Sequence, residues 1–450
     1  MAKYTISENT RYQIPSDIDI IEYNNKYLVV APRSARWLVL ETTKQISVLK
    51  YFMEGHSIKD ALDNTEFFNE DVSTVVTQIE ARRLCGTTSR SITEDKRSLH
   101  LYLTNRCNLS CPHCYMFSGH ENENELTTAE ILNLINDYVK IAAGHRITIS
   151  GGEPSIHPDF ELIVKTAAES GLEVNVLTNG SLMSKKRIET LSKYISSIQI
   201  SIDGFSEESN AIIRGKGHFD KALSAVDSFV ENGIETSIAI TPTLDMLKSY
   251  QNEYVDFAKK LAMKYAGKNF RVKFAEGLSD GRSVKPTDIS NQEYADIVRT
   301  INNTIYGEDF ELISFVEKMR NNVIVDNCMF GVFAITSNGD VYFCPEIGKL
   351  PLIANVRTSS FEDIYIKSRA AENATSISNL HPCSKCCIRN ICGGGCRIKE
   401  FPDLTNRTSF ESINYEEIKP RECNQAVKEK FYNLMIKSNE YLFVPLISES

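Results

Sequence analysis

Between residues 18 and 42, apolar and polar positions alternate in three short runs, IDIIEY, YLVVAP and ARWLVLE, parted by Asn24-Asn25 and by Pro32-Arg33-Ser34. Alternation at period two, bounded by turn residues, predicts three strands. Past residue 42 the period lengthens. Residues 43–55, 57–63 and 69–84 space their apolar positions for helices, with Ser57 and Asn69 as N-caps. A small sheet followed by three helices predicts a self-contained α+β unit over residues 1–90, joined by a polar linker at 91–97. From Ser98 to about residue 303, six strand-like runs alternate with longer amphipathic stretches: SLHLYLT, RITIS, EVNVLTN, SIQISID, ETSIAIT and FRVKFAE. Such alternation predicts an α/β domain over 98–310 whose parallel sheet is either open or curled into a partial barrel. In both architectures the ligand site lies at the C-terminal ends of the strands. Beyond Asn322 short apolar pieces are broken by Cys, Gly and Pro, so residues 311–450 are expected to be irregular and to need metal crosslinks.

The chain has 450 residues, of which 42% are hydrophobic and 24% charged, as in ordinary globular proteins of several domains. Its longest apolar runs, such as Tyr27 to Ala31, are far too short to span a bilayer. Lys and Arg number 50 against 59 Asp and Glu, a net charge of -9, and no long basic block occurs. A nucleic-acid groove is therefore disfavoured. The N-terminus MAKYTISENTRYQ has no apolar signal core, so the twelve cysteines read as metal ligands in a reducing cytoplasm rather than as disulfides.

Ten of those cysteines form two sets. Cys107, Cys111 and Cys114 follow the strand SLHLYLT at spacings of three and two residues. GGEP (Gly151, Gly152, Glu153, Pro154) ends the second strand of the alternating region, Thr178-Asn179-Gly180 the third, and Ser201-Ile202-Asp203-Gly204 the fourth, with Arg214 following in IIRGKGHF. A structural zinc site takes thiolates at similar spacing, but it explains neither the absent fourth ligand nor GGEP. The set resembles the radical S-adenosylmethionine (SAM) superfamily. That resemblance implies a partial (β/α)6 barrel and a [4Fe-4S] cluster on Cys107, Cys111 and Cys114 with one iron open to SAM. The SAM amine would meet the GGEP backbone, its ribose and carboxylate would meet the end of the fourth strand at Ser201 and Asp203, and Thr178 and Asn179 at the end of the third would also contact the cofactor. Arg214 would meet the carboxylate, and Ile238 to Thr241 would support the adenine. Cleavage of SAM beside a reduced cluster would yield a 5'-deoxyadenosyl radical.

The second set runs Cys328, Gly339, Cys344, then Cys383, Cys386, Cys392 and Cys396, then Cys423. With the IANV stretch after Cys344, it resembles the SPASM extension of radical SAM proteins, although a pair of zinc knuckles shares the Cys-x2-Cys element. The resemblance implies two auxiliary iron-sulfur clusters, one served by Cys328, Cys344 and Cys396, the other by Cys383, Cys386, Cys392 and Cys423. Two four-iron clusters need eight ligands, and this pattern supplies seven. An open iron on the first cluster could bind a substrate thiolate, which makes a thioether product the expectation. Cys387 is left over, and Cys85 is expected to be a buried, inert thiol.

Residues 18–62 and the following helix resemble the RiPP recognition element, a PqqD-like winged helix that binds the leader of a ribosomal precursor peptide as an added strand against its third helix. Trp37, the only tryptophan, is expected in the core. Together the resemblances imply a sactipeptide- or ranthipeptide-synthase-like maturase with a leader-bearing, cysteine-containing peptide as partner and an electron donor such as flavodoxin or ferredoxin. No general acid or base is identifiable. The rivals are a carbon-carbon crosslink or side-chain oxidation within the same chemistry, and a DNA-binding iron-sulfur redox sensor outside it. GGEP and Arg214 argue against the sensor.

Overall fold

The computed structural model describes residues 6–85, 90–91, 97–307, 310–320, 323–347, 350–400 and 423–439. Most of the expected linker lies outside them. The three N-terminal strands β1 (Asp19–Tyr23), β2 (Lys26–Ala31) and β3 (Arg36–Leu40) form an antiparallel sheet in chain order. Helices α1 (Thr43–Met53), α2 (Ile58–Leu62) and α3 (Asn69–Ala81) follow. Ser57 caps α2 in a reciprocal box with Asp60. Asn69 does not cap α3: it is the first helical residue, and Phe68 holds the cap position without a side-chain bond.

Both faces of this sheet are covered, which explains why β2 reads as a continuous apolar run instead of alternating. Val29, Ala31, Leu38 and Leu40 pack on Leu49, Phe52, Val75 and Ile79 of the module's own helices. Leu28, Val30, Trp37 and Val39 face the other way, onto Phe315 and Met319 and onto Tyr432 and Met435. Trp37 is buried there, and its indole N–H donates to Met435 O at 3.1 Å. Full burial of such a side chain contributes about 3 kcal/mol.

The alternating region forms six parallel strands in chain order: β5 (Ser98–Tyr102), β6 (Arg146–Ser150), β7 (Glu173–Thr178), β8 (Ser197–Ser201), β9 (Glu235–Ile240) and β10 (Phe270–Phe274). A two-residue strand, β4 (Arg90–Ser91), pairs with β11 (Val323–Ile324). The expectation of an irregular C-terminal region needs correction. Strand β12 (Phe333–Ile335) pairs in parallel with β5, and β13 (Asp340–Tyr342) and β14 (Ala354–Asn355) continue antiparallel, giving nine strands among the described residues. Segments of two or three residues are too short to show a period, so their sequence carried no strand signal. The architecture is a partial (β/α)6 barrel extended by this small hairpin, with the antiparallel module packed on C-terminal residues that include Phe315, Ile391 and Met435. Among the described residues, no helix is long and apolar enough to cross a membrane.

Candidate functional site

The loop after β5 is bent over the strand ends by bonds that any metal would find already made. Glu125 accepts from Thr104 Oγ1 and Asn105 N, both at 2.7 Å, and Gly119 N donates back to Asn105 O at 3.0 Å. This turns Cys107, Cys111 and Cys114 into one wall of a cavity of about 340 Å³. Gly151 and Gly152 form the facing wall because nothing larger fits. A Cβ at Gly151 would lie 2.4 Å from Thr104 O, and one at Gly152 would lie 2.3 Å from Arg106 O. The N–H groups of Gly152 and Glu153 donate to those same carbonyls at 2.8 Å, so neither is available to a guest.

Thr178, Asn179, Ser201 and Arg214 also line the cavity, as do Ala239 and Thr241 at the end of β9. Glu153, Pro154 and Asp203 do not. Glu153 is fully buried behind the wall, accepting from Asn179 N at 2.7 Å, Thr178 Oγ1 at 2.6 Å, Ser155 N at 3.1 Å and the Ser155 hydroxyl. It ties the end of β6 to the end of β7. Asp203 is likewise fully buried: Oδ1 accepts from Thr241 N at 2.8 Å, and Oδ2 is 2.6 Å from Arg214 Nε. Burial alone would lower the Arg214 pKa, but Asp203 and the nearby thiols outweigh it and raise the net value. The guanidinium therefore stays charged at the cavity wall.

Three supporting side chains carried no sequence signal of their own. Asn210 Oδ1 accepts from the backbone N–H of Asp203 and Gly204, and its amide meets His218 Nδ1 at 3.0 Å. His218 Nε2 in turn meets Asn179 O at 2.8 Å, and burial lowers that imidazole's pKa to about 4, so it is neutral. His113, inside the cysteine motif, places Nε2 3.6 Å from Asp203 Oδ2, and burial lowers its pKa too.

The residues fit the groups the sequence implies. Burial pushes the Cys107 thiol up to about 11 and raises Cys111, so three soft donors converge with their protons still to be displaced by metal. His113 Nδ1 is buried with no hydrogen-bond partner among the described residues, which suits a polar guest. Carbonyls opposite a guanidinium match the ammonium and carboxylate of an amino acid.

None of the seven later cysteines forms a disulfide among the described residues, and their side chains act on one another in two groups. Cys328 is hydrogen-bonded to Cys396, and Cys396 acts in turn on Cys344, whose thiol burial raises to about 12. Cys383 sits within the fields of Cys392, Cys386 and Cys423, and burial raises it to about 11. Cys387 donates to Cys386, drawing that thiol down to about 6, and also contacts Tyr432. Cys85 stands apart, half-buried, its thiol raised to about 11 by burial and then by Glu80.

Residues 101–258 match the model of the radical SAM superfamily, and residues 327–387 that of SPASM, an iron-sulfur cluster-binding domain. The mycofactocin maturase MftC of Mycolicibacterium smegmatis is 26% identical over 341 residues, 71% of this chain and 85% of the relative. The sporulation killing factor maturation protein SkfB of Bacillus subtilis is 29% identical over 274 residues, 59% of this chain and 64% of the relative. A solved structure described as native anSMEcpe with bound AdoMet superposes with a TM-score of 0.54 at 18% identity, covering 77% of this chain and 97% of that one. This last likeness establishes the fold. The radical SAM domain brings SAM and a [4Fe-4S] cluster, and the SPASM domain brings auxiliary iron-sulfur clusters.

Proposed function

Because the chain belongs to the radical SAM and SPASM peptide maturases, we propose that it modifies a ribosomally made precursor peptide, holding the leader on residues 1–90 and forming a cysteine thioether in the core. When bound, SAM and its cluster supply a 5'-deoxyadenosyl radical able to take hydrogen from carbon. The remaining tasks fall to the chain. Cys107, Cys111 and Cys114 hold the cluster, the carbonyls of Gly151 and Gly152 receive the SAM ammonium, and Arg214 receives its carboxylate. Thr178, Asn179 and Ser201 line the ribose side, and Ala239 and Thr241 the adenine side. Glu153 and Asp203 act one layer back: Glu153 fixes the strand ends, and Asp203 fixes the direction of Arg214. Pro154 starts the short 3-10 turn that carries the Glu153 contact to Ser155.

The observation that carries the thioether reading is the division of the later thiols. Cys328 is hydrogen-bonded to Cys396 and Cys396 acts on Cys344, while the SPASM-like pattern assigns this set no fourth cysteine. Two residues after Cys344, Glu346 Oε2 accepts from Ser279 Oγ at 3.2 Å, and Ser279 is part of the cavity wall. The three-thiol set is thus linked to the SAM cavity, and a substrate sulfur would complete it close to where hydrogen is removed. Cys383, Cys386, Cys392 and Cys423 hold the second cluster. The reading requires a reducing cytoplasm and an electron donor such as flavodoxin or ferredoxin.

The test is mass spectrometry of the precursor peptide after incubation with reduced, reconstituted enzyme and SAM. Loss of one hydrogen pair per linkage, with a thiol that resists alkylation, is the expected result. The same mass loss with the thiol still open to alkylation would replace the thioether with a carbon-carbon link. An unchanged peptide mass would overturn the maturase reading.

A further inference from the structure

Arg397 follows the last cysteine of CGGGCR and is fully buried. Three segments of backbone hold it. Nε donates to Thr375 O at 2.8 Å, Nη1 to Gly393 O at 3.0 Å and to Gly395 O at 2.8 Å, and Nη2 to Asp326 O at 3.5 Å. Its backbone N–H donates to Cys328 Sγ at 3.2 Å, so the residue also touches the three-thiol set.

The same guanidinium reaches the four-thiol set. A Cβ built on Gly394 would stand 3.5 Å from Arg397 Nη1 and 3.8 Å from Cys383 Sγ, so the two side chains flank one point of the glycine turn. Gly394, at φ +74°, keeps that point clear. Burial lowers the Arg397 pKa, and the thiols of Cys328, Cys383 and Cys396 and the Asp326 carboxylate oppose that effect. Removing a guanidinium from water is costly unless nearby negative charge offsets it. The two thiol cages would supply such charge together with the Asp326 carboxylate, and each cage would become more negative on reduction of its cluster.

We propose that Arg397 is a cation shared by the two auxiliary cages, raising the reduction potential of both clusters. This rests on reading the seven cysteines as ligands of two clusters. A positive charge stabilises the reduced form of a cluster more than the oxidised form, and net charge is one of the determinants of cluster potential. Arg397 is in this sense a positioning residue with an electrostatic consequence: it acts through the cages and does not reach the SAM cavity.

The experiment is a redox titration of the reconstituted full-length chain followed by electron paramagnetic resonance, with iron content measured on the same samples. Arg397→Met is expected to lower the reduced-to-oxidised ratio of the auxiliary clusters at least tenfold at fixed potential, a downward shift of about 59 mV for a one-electron couple. The SAM-responsive cluster should not move, and Arg397→Lys should stay near the wild type. Unchanged auxiliary potentials in Arg397→Met would overturn the proposal. If Arg397→Met fails to retain iron, Arg397→Lys decides: recovery of both iron and potential supports a role for charge, whereas the same iron deficit shows that the carbonyl bonds alone matter. A wild-type chain with no auxiliary signals would overturn the cluster assignment and this proposal together, while wild-type signals with unmoved variants overturn the Arg397 role alone.

Discussion

The cavity at the strand ends and the thiol cages beyond it both gather cysteines, yet they differ in what keeps the cysteines in place. Cys107, Cys111 and Cys114 ride on a loop tied down by Glu125 and by the close approach to Gly151 and Gly152, against a layer of buried polar anchors, Glu153, Asp203 and Asn210. Between Cys383 and Cys396 the chain has only a three-residue turn of helix, a four-residue helix and consecutive glycines at positive φ. One site is preorganised by protein bonds. The other is anchored more sparsely, by the Arg397 fork, by buried Ile388 and Ile391 and by Asn390 Nδ2 donating to Pro32 O at 3.0 Å, and would take more of its shape from its metal.

This contrast can be broken most severely by removing iron. Chelation of the reconstituted enzyme is expected to cost the amides of residues 380–397 most of their hydrogen-exchange protection, while strands β5 to β10 keep theirs. Equal loss in both regions would erase the distinction. Asp203→Ala comes next, because it leaves the buried Arg214 without its carboxylate. A loss of about 3–5 kcal/mol is expected on denaturant unfolding, together with weakened SAM binding by calorimetry. Glu153→Ala strands the Asn179 N–H and the Thr178 hydroxyl and should cost less, about 1–3 kcal/mol, with SAM binding weakened through displaced strand ends. A change confined to stability, with normal SAM affinity, would show that the anchor layer does not shape the cavity.

The smallest effect tests the seam between the two regions. Arg357, just past β14, donates to both carboxylate oxygens of Glu130, at the start of the helix after the cysteine loop, at 2.6 and 2.9 Å. Those bonds, followed by the Thr127 N–H, hold the Glu130 pKa at about 2, below its ordinary 4.5. A carboxylate with a depressed folded-state pKa adds stability that is fully present above pH 4.5 and is lost as pH falls toward 2. The pair is partly exposed, so Arg357→Ala should cost under about 1 kcal/mol at neutral pH, and the difference between variant and wild type should vanish on acidification. A difference that persists at pH 2 would mean that Arg357 acts through its bonds to the carbonyls of Asn124 and Glu125 instead.

Much of this arrangement was legible before any coordinates. RITIS runs from Arg146 to Ser150 in both readings, because five residues alternating between turn signals leave little latitude. The three-and-four division of the later thiols came with the SPASM resemblance, since the Cys-x2-Cys spacing by itself makes only Cys383 and Cys386 near neighbours. Spacing locates a strand end but does not say which way each side chain points. GGEP and SIDG therefore located the cavity without revealing that Glu153 and Asp203 face away from it. Asn210 and His218 were invisible for a related reason: they act through backbone carbonyls and amides, which leave no residue-type signature. The strands Phe333–Ile335 and Asp340–Tyr342 were missed because three residues cannot display a period.

The most direct test is whether reduced, cluster-reconstituted protein converts SAM to 5'-deoxyadenosine, followed by chromatography, with Cys107→Ala, Cys111→Ala and Cys114→Ala combined as the control. The nucleoside is expected from the wild type and absent from the triple variant, with the fold of both intact by circular dichroism. A wild-type protein that carries its full iron and binds SAM but releases no 5'-deoxyadenosine would contradict the assignment of this cavity.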